Sequence, residues 1–303
     1  MMDYNSVGRL VCLSPITWKD GWPYFGLPGN LKRTPRTWVK PDTGHSSPPS
    51  APYQRNDDFS GPTLANVWQW NHVPVDGKWS LRERPGFLRL HSLPAPDLWH
   101  ARNTLTQRAI GPESEPTVAL DASGMQPGDV AGLALLNLPY ASIGVRRDGQ
   151  AFVVEQFDQR TGETQRVRVP AARVWLRATC DFLTEKARLS YSTDGKLFTP
   201  LGGELTMIFQ LKTFQGVRYS LFHFQTSAGP GGHADFDSFT VREPRPRGLM
   251  RPIPTGRTIR LAALGGGPEL AVGGETHFEV VDRGLGRVAL RSGHDRFISV
   301  DAS

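Results

Sequence analysis

The sequence predicts an all-β protein whose central part is an antiparallel β-sandwich. Short runs of alternating apolar and polar residues fill the stretch from 57 to 241, and Gly, Pro and Asp-Gly turn signals separate them. The chain has 303 residues with 32 Gly, 25 Pro and 38% hydrophobic residues, which suits many turns around a packed core. Many short strands in series between turn signals are typical of two stacked sheets.

The predicted strands follow one another through this central region. Two-residue hairpin signals occur at Asp148-Gly149 and at Asp194-Gly195. The segment 204–211 is the one stretch for which we predict a short helical turn. The principal predicted strands are 87–91, 104–109, 117–121, 130–137, 141–146, 151–157, 164–169, 174–182, 187–192, 216–224 and 234–241.

The flanking segments differ in composition from the centre. The sequence of residues 1–44 predicts two or three strands, with an Asp20-Gly21 turn between Trp18 and Trp22. Isolated hairpins are marginally stable in water, so this segment is expected to belong to a larger domain. Two segments are rich in Pro: 45–56, which also contains Ser, and 244–255, which also contains Arg. This composition is typical of linkers. Residues 256–303 alternate again and contain Gly-rich turns.

The charge pattern and the cysteines exclude several function classes. The net charge is +6, but the arginines are scattered singly and no run of five like charges occurs, so we expect no nucleic-acid binding. No apolar run reaches the 18 residues or so of a membrane span, so we expect no membrane partner. Cys12 and Cys180 are expected to be buried small side chains. The start of the sequence does not read as a signal peptide, and the compartment stays open.

The first segment resembles a known family. The run "DYNSVGRLVCLSPITWKDGWPYFG" is similar to the end of the catalytic domain of glycoside hydrolase family 43, the β-xylosidases and α-L-arabinofuranosidases. That catalytic domain is a five-bladed β-propeller. The resemblance implies that residues 1–44 are the C-terminal remnant of such a propeller.

The central region resembles the domain that follows the propeller in these enzymes. The runs "DDFSGPTLANVWQWNHVP", "HARNTLTQR", "YSTDGKLFTPLG" and "ADFDSF" are similar to the C-terminal domain of family 43 β-xylosidases. The resemblance implies a concanavalin-A-like β-sandwich of the jelly-roll type over 57–243. The runs in 256–303 resemble β-trefoil repeats of the fascin or carbohydrate-binding kind. Because a trefoil needs three repeats to close, we expect a partial trefoil-like segment.

The resemblance also implies where the chemistry lies. Family 43 hydrolysis inverts the anomeric carbon with three carboxylates of the propeller, and inversion needs acid and base about 6.5–9.5 Å apart. Those residues would lie on earlier blades, before Met1, so we predict no catalytic residue in this chain and expect it to be inactive alone. The glutamates considered as replacements are expected to be solvated surface charges: Glu83, Glu113, Glu115, Glu155, Glu163 and Glu185.

A calcium ion is the predicted cofactor. The first and last strands of the sandwich are expected to meet, which brings Asp57 or Asp58 near Asp237. Calcium prefers six to eight oxygen ligands, several of them carboxylates. Related domains carry a metal in this region, which is what the resemblance implies. The alternative is that these carboxylates accept backbone N–H bonds in turns.

Two aromatic residues are the predicted substrate-binding residues. Phe214 matches by position a phenylalanine that reaches, in family relatives, from the sandwich into the mouth of the propeller's active site. Trp99 lies on a predicted loop, where a sugar could stack on its ring. Either residue could instead pack in the core. His223 and His233 are expected to be structural histidines.

The leading interpretation is the accessory C-terminal portion of a family 43 enzyme. Its partners would be the catalytic propeller and oligosaccharides derived from xylan or arabinoxylan. A freestanding carbohydrate-binding module and a structural module without a sugar ligand are the alternatives. Hydrolysis of aryl xylosides by the purified chain would overturn the leading interpretation, and tight binding to xylan without hydrolysis would favour the carbohydrate-binding module.

Overall fold

The computed structural model describes residues 6–8, 14–31, 44, 54–227, 229–244, 254–262, 268–283, 288–293 and 295–298. The chain divides into two compact units. The first comprises Met1–Arg9 and Pro52–Arg247, and the second comprises Leu10–Ala51 and Gly248–Ser303. Residues 6–8, which the sequence analysis groups with the first segment, are therefore grouped with the sandwich. In the described part of the chain, no helix is long and apolar enough to span a bilayer.

The described residues form strands throughout, as the all-β prediction requires. In chain order these are β1 (Ile16–Lys19), β2 (Trp22–Phe25), β3 (Gln69–Trp70), β4 (Trp79–Ser80), β5 (Leu88–His91), β6 (Leu93–Pro94), β7 (Leu105–Arg108), β8 (Glu113–Asp121), β9 (Asp129–Leu136), β10 (Ala141–Asp148), β11 (Ala151–Asp158), β12 (Glu163–Val169), β13 (Arg173–Asp181), β14 (Lys186–Ser192), β15 (Thr199–Pro200), β16 (Leu205–Thr206), β17 (Arg218–Gln225), β18 (His233–Arg242), β19 (Thr258–Ile259), β20 (Phe278–Asp282) and β21 (Val288–Arg291).

Two large sheets make up the first unit. Sheet I has the order β12-β11-β10-β9-β17-β7-β3, and the short β6 pairs with β17. Sheet II has the order β15-β14-β13-β8-β18-β5-β4, and β16 pairs with β14. The neighbours along both orders are antiparallel, whereas the β6–β17 pair is parallel. The predicted antiparallel sandwich is confirmed.

The main core lies between the two sheets. Leu133 and Ile143 of sheet I share one buried cluster with Leu120 and Leu176 of sheet II. Because successive residues of a strand point to opposite faces, alternate residues of each strand supply this cluster. Burial of such side chains is the main favourable term in folding, at about 25 cal/mol per Å² of apolar surface.

Sheet I is covered on its other face as well. Val130 and Ala134 of β9 pack with Phe222 and with Leu98, which lies in the chain segment after β6. All eight residues of β9 are buried. A strand buried on both faces reads as a nearly continuous apolar run, which explains the sequence from Asp129 to Leu136.

The predicted turns had different outcomes. Between β10 and β11 the loop has two residues, and Gly149 has a φ of +55°, so that hairpin is confirmed. The Asp194-Gly195 signal instead lies in a longer loop, because β14 ends at Ser192 and β15 begins at Thr199. The predicted helical turn at 204–211 is wrong, since Leu205 and Thr206 form β16 on the edge of sheet II.

The second unit contains two small sheets. β1 and β2 form a hairpin in which Lys19 pairs with Trp22, and the turn residues Asp20 and Gly21 both have positive φ, of 52° and 78°. This is the geometry of the two-residue turn that Asp-Gly favours, so this turn is confirmed. β19, β20 and β21 form a three-stranded sheet. Assignment of these pieces to a propeller and a trefoil stays a prediction, and Cys12 lies outside the described residues.

Candidate functional site

The loop between β16 and β17 presents the predicted substrate-binding residue Phe214. Its side chain is 56% exposed, and its φ is +54°. The Phe214 N–H donates to the carbonyl of Gln210 at 2.9 Å. A left-handed conformation costs a residue with a Cβ about 1–2 kcal/mol, and it persists only where the surroundings enforce it. The sandwich therefore holds Phe214 outward in an unfavourable conformation.

A buried asparagine, which was not identified from the sequence, forms hydrogen bonds with this loop. Asn137 follows β9 and is 1% exposed. Its Nδ2 donates to the carbonyls of Ile208 at 2.9 Å and Gln215 at 3.2 Å, and its Oδ1 accepts the Thr213 hydroxyl at 3.1 Å. One side chain thus contacts both ends of the loop and its centre.

Residues near the N-terminus of the chain also hold the end of the loop that leads into β17. The Val217 N–H donates to the carbonyl of Ser6 at 2.7 Å, and the Ser6 N–H donates to Glu185 Oε1 at 2.8 Å. A Cβ added to Gly216 would lie 2.2 Å from the carbonyl carbon of Val7. A side chain cannot be accommodated there, so the glycine permits the close approach of the two backbones.

Trp99 lies on a different loop, in the segment after β6. Its ring is partly buried and packs against the second cluster under sheet I. Its carbonyl accepts a hydrogen bond from His72 Nε2 at 2.8 Å, and the neighbouring Asp97 pairs with His100 at 2.7 Å. This packing agrees with the alternative of a structural residue, while a sugar-stacking role for the partly exposed ring stays a prediction.

The predicted metal ligands Asp57 and Asp58 both accept hydrogen bonds. Asp57 Oδ1 accepts the Phe59 N–H at 2.8 Å, and Asp57 Oδ2 accepts the Trp68 indole N–H at 2.8 Å. Asp58 Oδ1 accepts the N–H and the hydroxyl of Ser60 at 3.1 and 2.6 Å. The Ser60 hydroxyl and N–H hold the pKa of Asp58 below its usual value. These contacts match the alternative of acceptors in turns.

The third predicted ligand, Asp237, forms an ion pair with Arg173. Within the described ranges, no group of three or more His, Cys, Asp and Glu residues is placed to hold a metal ion. The three aspartates therefore do not fit an ion that all of them share. A calcium ion held by fewer carboxylates together with backbone carbonyls stays a prediction.

The surroundings of His223 and His233 agree with the structural role expected from the sequence. His223 is buried, and its Nδ1 donates to the carbonyl of Leu90 at 2.7 Å. Its Nε2 lies 3.4 Å from Oδ2 of the buried Asp129, an ion-pair distance. Burial opposes ionisation of Asp129, but the imidazole and the Gln126 N–H hold its pKa below the usual value. Burial lowers the pKa of His233.

Among the glutamates that were considered as catalytic replacements, Glu83, Glu115 and Glu155 form ion pairs. Glu155 lies between Arg146 at 2.8 Å and Arg166 at 2.6 Å and is mostly buried, which corrects its prediction as a solvated charge. Burial opposes its ionisation, but these two guanidinium groups hold its pKa below the usual value. Glu83 contacts His91 at 3.0 Å. Such pairing stabilises carboxylates in the ionised form, whereas a general acid needs a raised pKa.

Comparison with known proteins assigns the sandwich. Residues 56–242 match the family model described as the beta-xylosidase C-terminal concanavalin A-like domain. A beta-xylosidase of Formosa agariphila is 33% identical over 262 residues, which is 77% of this chain and 42% of that protein. The chain therefore spans less than half the length of this curated relative.

Solved structures agree with this assignment. A bifunctional GH43-CE protein of Bacteroides eggerthii is 34% identical with a TM-score of 0.66, covering 79% of this chain and 31% of that one. The GH43 protein BlXynB of Bacillus licheniformis is 28% identical with a TM-score of 0.62, covering 78% and 48%. Residues 56–242 of this chain thus belong to the concanavalin-A-like C-terminal domain family of the family 43 β-xylosidases.

Proposed function

We propose that this chain is the accessory C-terminal portion of a family 43 glycoside hydrolase that acts on oligosaccharides of xylan or arabinoxylan. The sandwich stabilises the catalytic propeller and shapes its substrate pocket. The catalytic carboxylates lie in the propeller and not in this chain. The share of the Formosa agariphila beta-xylosidase that this chain spans, 42%, supports the division into a catalytic and an accessory part.

The observation that carries the proposal is the presentation of Phe214. An exposed phenylalanine with a positive φ costs free energy in the isolated sandwich. A loop held rigidly by Asn137 and by the Ser6–Val217 bond can place the ring against a partner without further ordering. Preorganisation of this kind lowers the entropic cost of association. The ring would close one side of the pocket and limit it to short oligosaccharides.

The β1–β2 hairpin supports the same proposal. Trp18 is 69% exposed, Trp22 is 70% exposed, and Phe25 is also largely exposed. In the register of the hairpin, Trp18 and Phe25 lie on one face and Trp22 lies on the other. Large exposed aromatic residues of this kind mark surfaces that another protein segment covers. We take the remaining blades of the catalytic propeller to be that covering segment.

The test uses the chain joined to its catalytic propeller. We expect Phe214→Ala to raise KM for xylobiose on the order of tenfold, because a buried aromatic contact contributes more than 1 kcal/mol. The matched control is Leu197→Ala, which removes an exposed apolar side chain from a different loop, the one between β14 and β15. Equal KM values for the wild type and Phe214→Ala would contradict the proposal.

A second measurement separates the alternatives. Tight retention of the purified chain on insoluble xylan, without hydrolysis, would favour a carbohydrate-binding module. Weak retention, together with a raised KM in Phe214→Ala, is the result that an accessory domain requires.

A further inference from the structure

We infer that Asn137 is the residue that positions Phe214, so that it acts on substrate binding without touching substrate. The inference rests on the proposed function of Phe214. The basis is the set of hydrogen bonds between the Asn137 amide and the loop backbone, because these bonds join parts of the chain that are 71 and 78 residues apart. Asn137 is the positioning residue, and Phe214 is the residue that contacts the pocket.

The hydrogen bonds of Asn137 fix both the separation and the orientation of the loop ends. Its two amide hydrogens go to the carbonyls of Ile208 and Gln215, which flank the turn that contains Phe214. Thr213, the residue before Phe214, donates its hydroxyl to Asn137 Oδ1. The side chain of an asparagine offers two donors and an acceptor in one plane, and all three functions are used here.

The loop holds the strand end in return. Gln210 donates its side-chain amide to the carbonyl of Leu138 at 2.9 Å, and its own carbonyl accepts the Phe214 N–H. Its side-chain oxygen accepts the Lys212 N–H at 3.1 Å. Residues 137 and 138 and the loop therefore form one reciprocal network, which resists movement more than separate bonds would.

The conformation of Phe214 explains why the loop needs the hydrogen bonds of Asn137. A phenylalanine released from restraint prefers a negative φ, because its Cβ crowds the backbone at positive φ. A change of φ from +54° to the usual region would turn the Cα–Cβ bond and carry the ring to another direction. The carbonyl bonds of Asn137 prevent this relaxation and thereby set where the ring points.

The first experiment measures the loop in the full 303-residue chain. We compare Asn137→Asp with Asn103→Asp, a matched substitution of a buried asparagine whose amide also bonds a loop backbone, that of Val75. The aspartate removes the two N–H donors and places a carboxylate against two carbonyls. We expect native-state tryptic cleavage after the exposed Lys212 to accelerate on the order of tenfold or more in Asn137→Asp, since two partly buried carbonyls lose their donors.

Asn103→Asp is the control for general destabilisation. It lowers global stability without loosening the 208–217 loop, so cleavage after Lys212 stays near the wild-type rate at temperatures well below unfolding. Equal acceleration in both variants, or none in Asn137→Asp, would overturn the inference. If Asn137→Asp does not fold, Thr213→Val removes the hydroxyl that bonds Asn137 Oδ1 at 3.1 Å and also lies 3.3 Å from the Gln210 carbonyl, and it gives a smaller acceleration with the same sign.

The second experiment measures substrate binding with the chain joined to its catalytic propeller. We expect Asn137→Asp to raise KM for xylobiose as Phe214→Ala does, with kcat within about twofold of wild type, because the chemistry lies elsewhere. In Phe214→Ala, adding Asn137→Asp has no further effect on KM, since there is no ring left to misplace. An additive effect would overturn the inference.

The two proposals fail in different ways. If Phe214→Ala leaves KM unchanged, the proposed function fails, whatever happens to the loop. If Phe214→Ala raises KM but Asn137→Asp changes neither cleavage nor KM, the inference fails and the proposed function stands.

Discussion

Asp57 and Trp68 are joined by a hydrogen bond of 2.8 Å from the indole N–H to Oδ2 at the beginning of the sandwich. Asp57 also exchanges two backbone hydrogen bonds with Phe239 of the last strand, at 2.9 and 2.8 Å. The Trp68 ring packs edge-on against Phe239, with ring centroids 5.0 Å apart. Asp57 and Trp68 therefore fasten the first residues of the domain to β18.

The Asp57–Trp68 bond is testable by a double-mutant cycle. Asp57→Asn turns one carboxylate oxygen into an N–H group, which must face a donor, either the indole N–H or the Phe59 N–H. We expect it to lower the free energy of unfolding by about 1–3 kcal/mol, with part of that loss shared with Trp68→Phe. Urea unfolding measures both. Asp58→Asn, at an exposed position, is the control, and a zero coupling energy would show that the bond does not contribute.

The calcium prediction requires a chelation experiment. An ion bound to the folded state stabilises it by mass action, so EDTA would lower Tm and added Ca²⁺ would restore it. In that case Asp58→Ala would remove most of the EDTA effect. If Tm is the same with EDTA and with millimolar Ca²⁺, the hydrogen bonds to Phe59, Trp68 and Ser60 account for these aspartates and the calcium prediction is wrong.

Stability is expected to depend on pH through Asp235. Its buried carboxylate accepts bonds from Arg89 at 2.7 and 2.8 Å and from Arg84 at 2.8 Å. Burial raises its pKa, but the two guanidinium groups outweigh burial and hold the pKa below the usual 3.8. A pKa that is lower in the folded state contributes stability above about pH 4, and this contribution is lost as the pH falls through the folded pKa.

The effect of Asp235→Asn on the free energy of unfolding should therefore be largest above about pH 4. At pH 7 we expect Asp235→Asn to lower the free energy of unfolding by roughly 2 kcal/mol. This is less than for a fully buried ion pair, because Arg84 is partly exposed. The difference from wild type should shrink as the pH is lowered from 5 to 2.5. A difference that is constant with pH would mean that the carboxylate charge is not responsible.

The left-handed conformation of Phe214 predicts an inverted order of two substitutions. Glycine at an ordinary loop position is less stable than alanine, whereas at positive φ alanine bears the steric cost. We expect Phe214→Gly to be more stable than Phe214→Ala by about 1 kcal/mol. Leu197→Gly and Leu197→Ala, at an exposed position without positive φ, should show the ordinary order. The ordinary order at both positions would contradict the positive φ.

The strands were predictable because their signals are local. Alternation and turn residues lie within a few positions of each other, as in β10 and β11, where pairing continues to Asp148 and Ala151 on either side of a two-residue turn. The strand predicted over 117–121 begins earlier, because β8 covers Glu113–Asp121 and includes Pro116. The strand continues through the proline, and the ladder to β13 is interrupted there, between the Thr117 and Ser114 pairs.

The loops were less predictable because contacts of individual side chains determine their length and conformation. Asp194-Gly195 carries the same signal as Asp148-Gly149. In the first case Asp194 Oδ1 accepts the N–H groups of Lys196 and Leu197, which holds a wider loop. A Cβ on Gly195 would lie 2.9 Å from the Trp175 ring, so the loop packs on an aromatic face that the local sequence does not reveal.

The candidate site shows the same limit. Phe214 was proposed as a site residue by resemblance alone, since a phenylalanine in a polar loop has no distinctive local pattern. Asn137 was missed because its partners are more than 70 residues away in the chain. An asparagine between a buried strand and Leu138-Pro139 is a turn signal, and that signal does not indicate what the side chain binds.

The central claim is that the sandwich serves a catalytic domain and does not itself cleave glycosides. The most direct measurement is the hydrolysis of an aryl β-xyloside by the purified 303-residue chain over a range of chain concentrations. The account predicts a rate equal to that of buffer at every concentration. A rate that increases in proportion to the chain, and is retained through repeated purification, would contradict it.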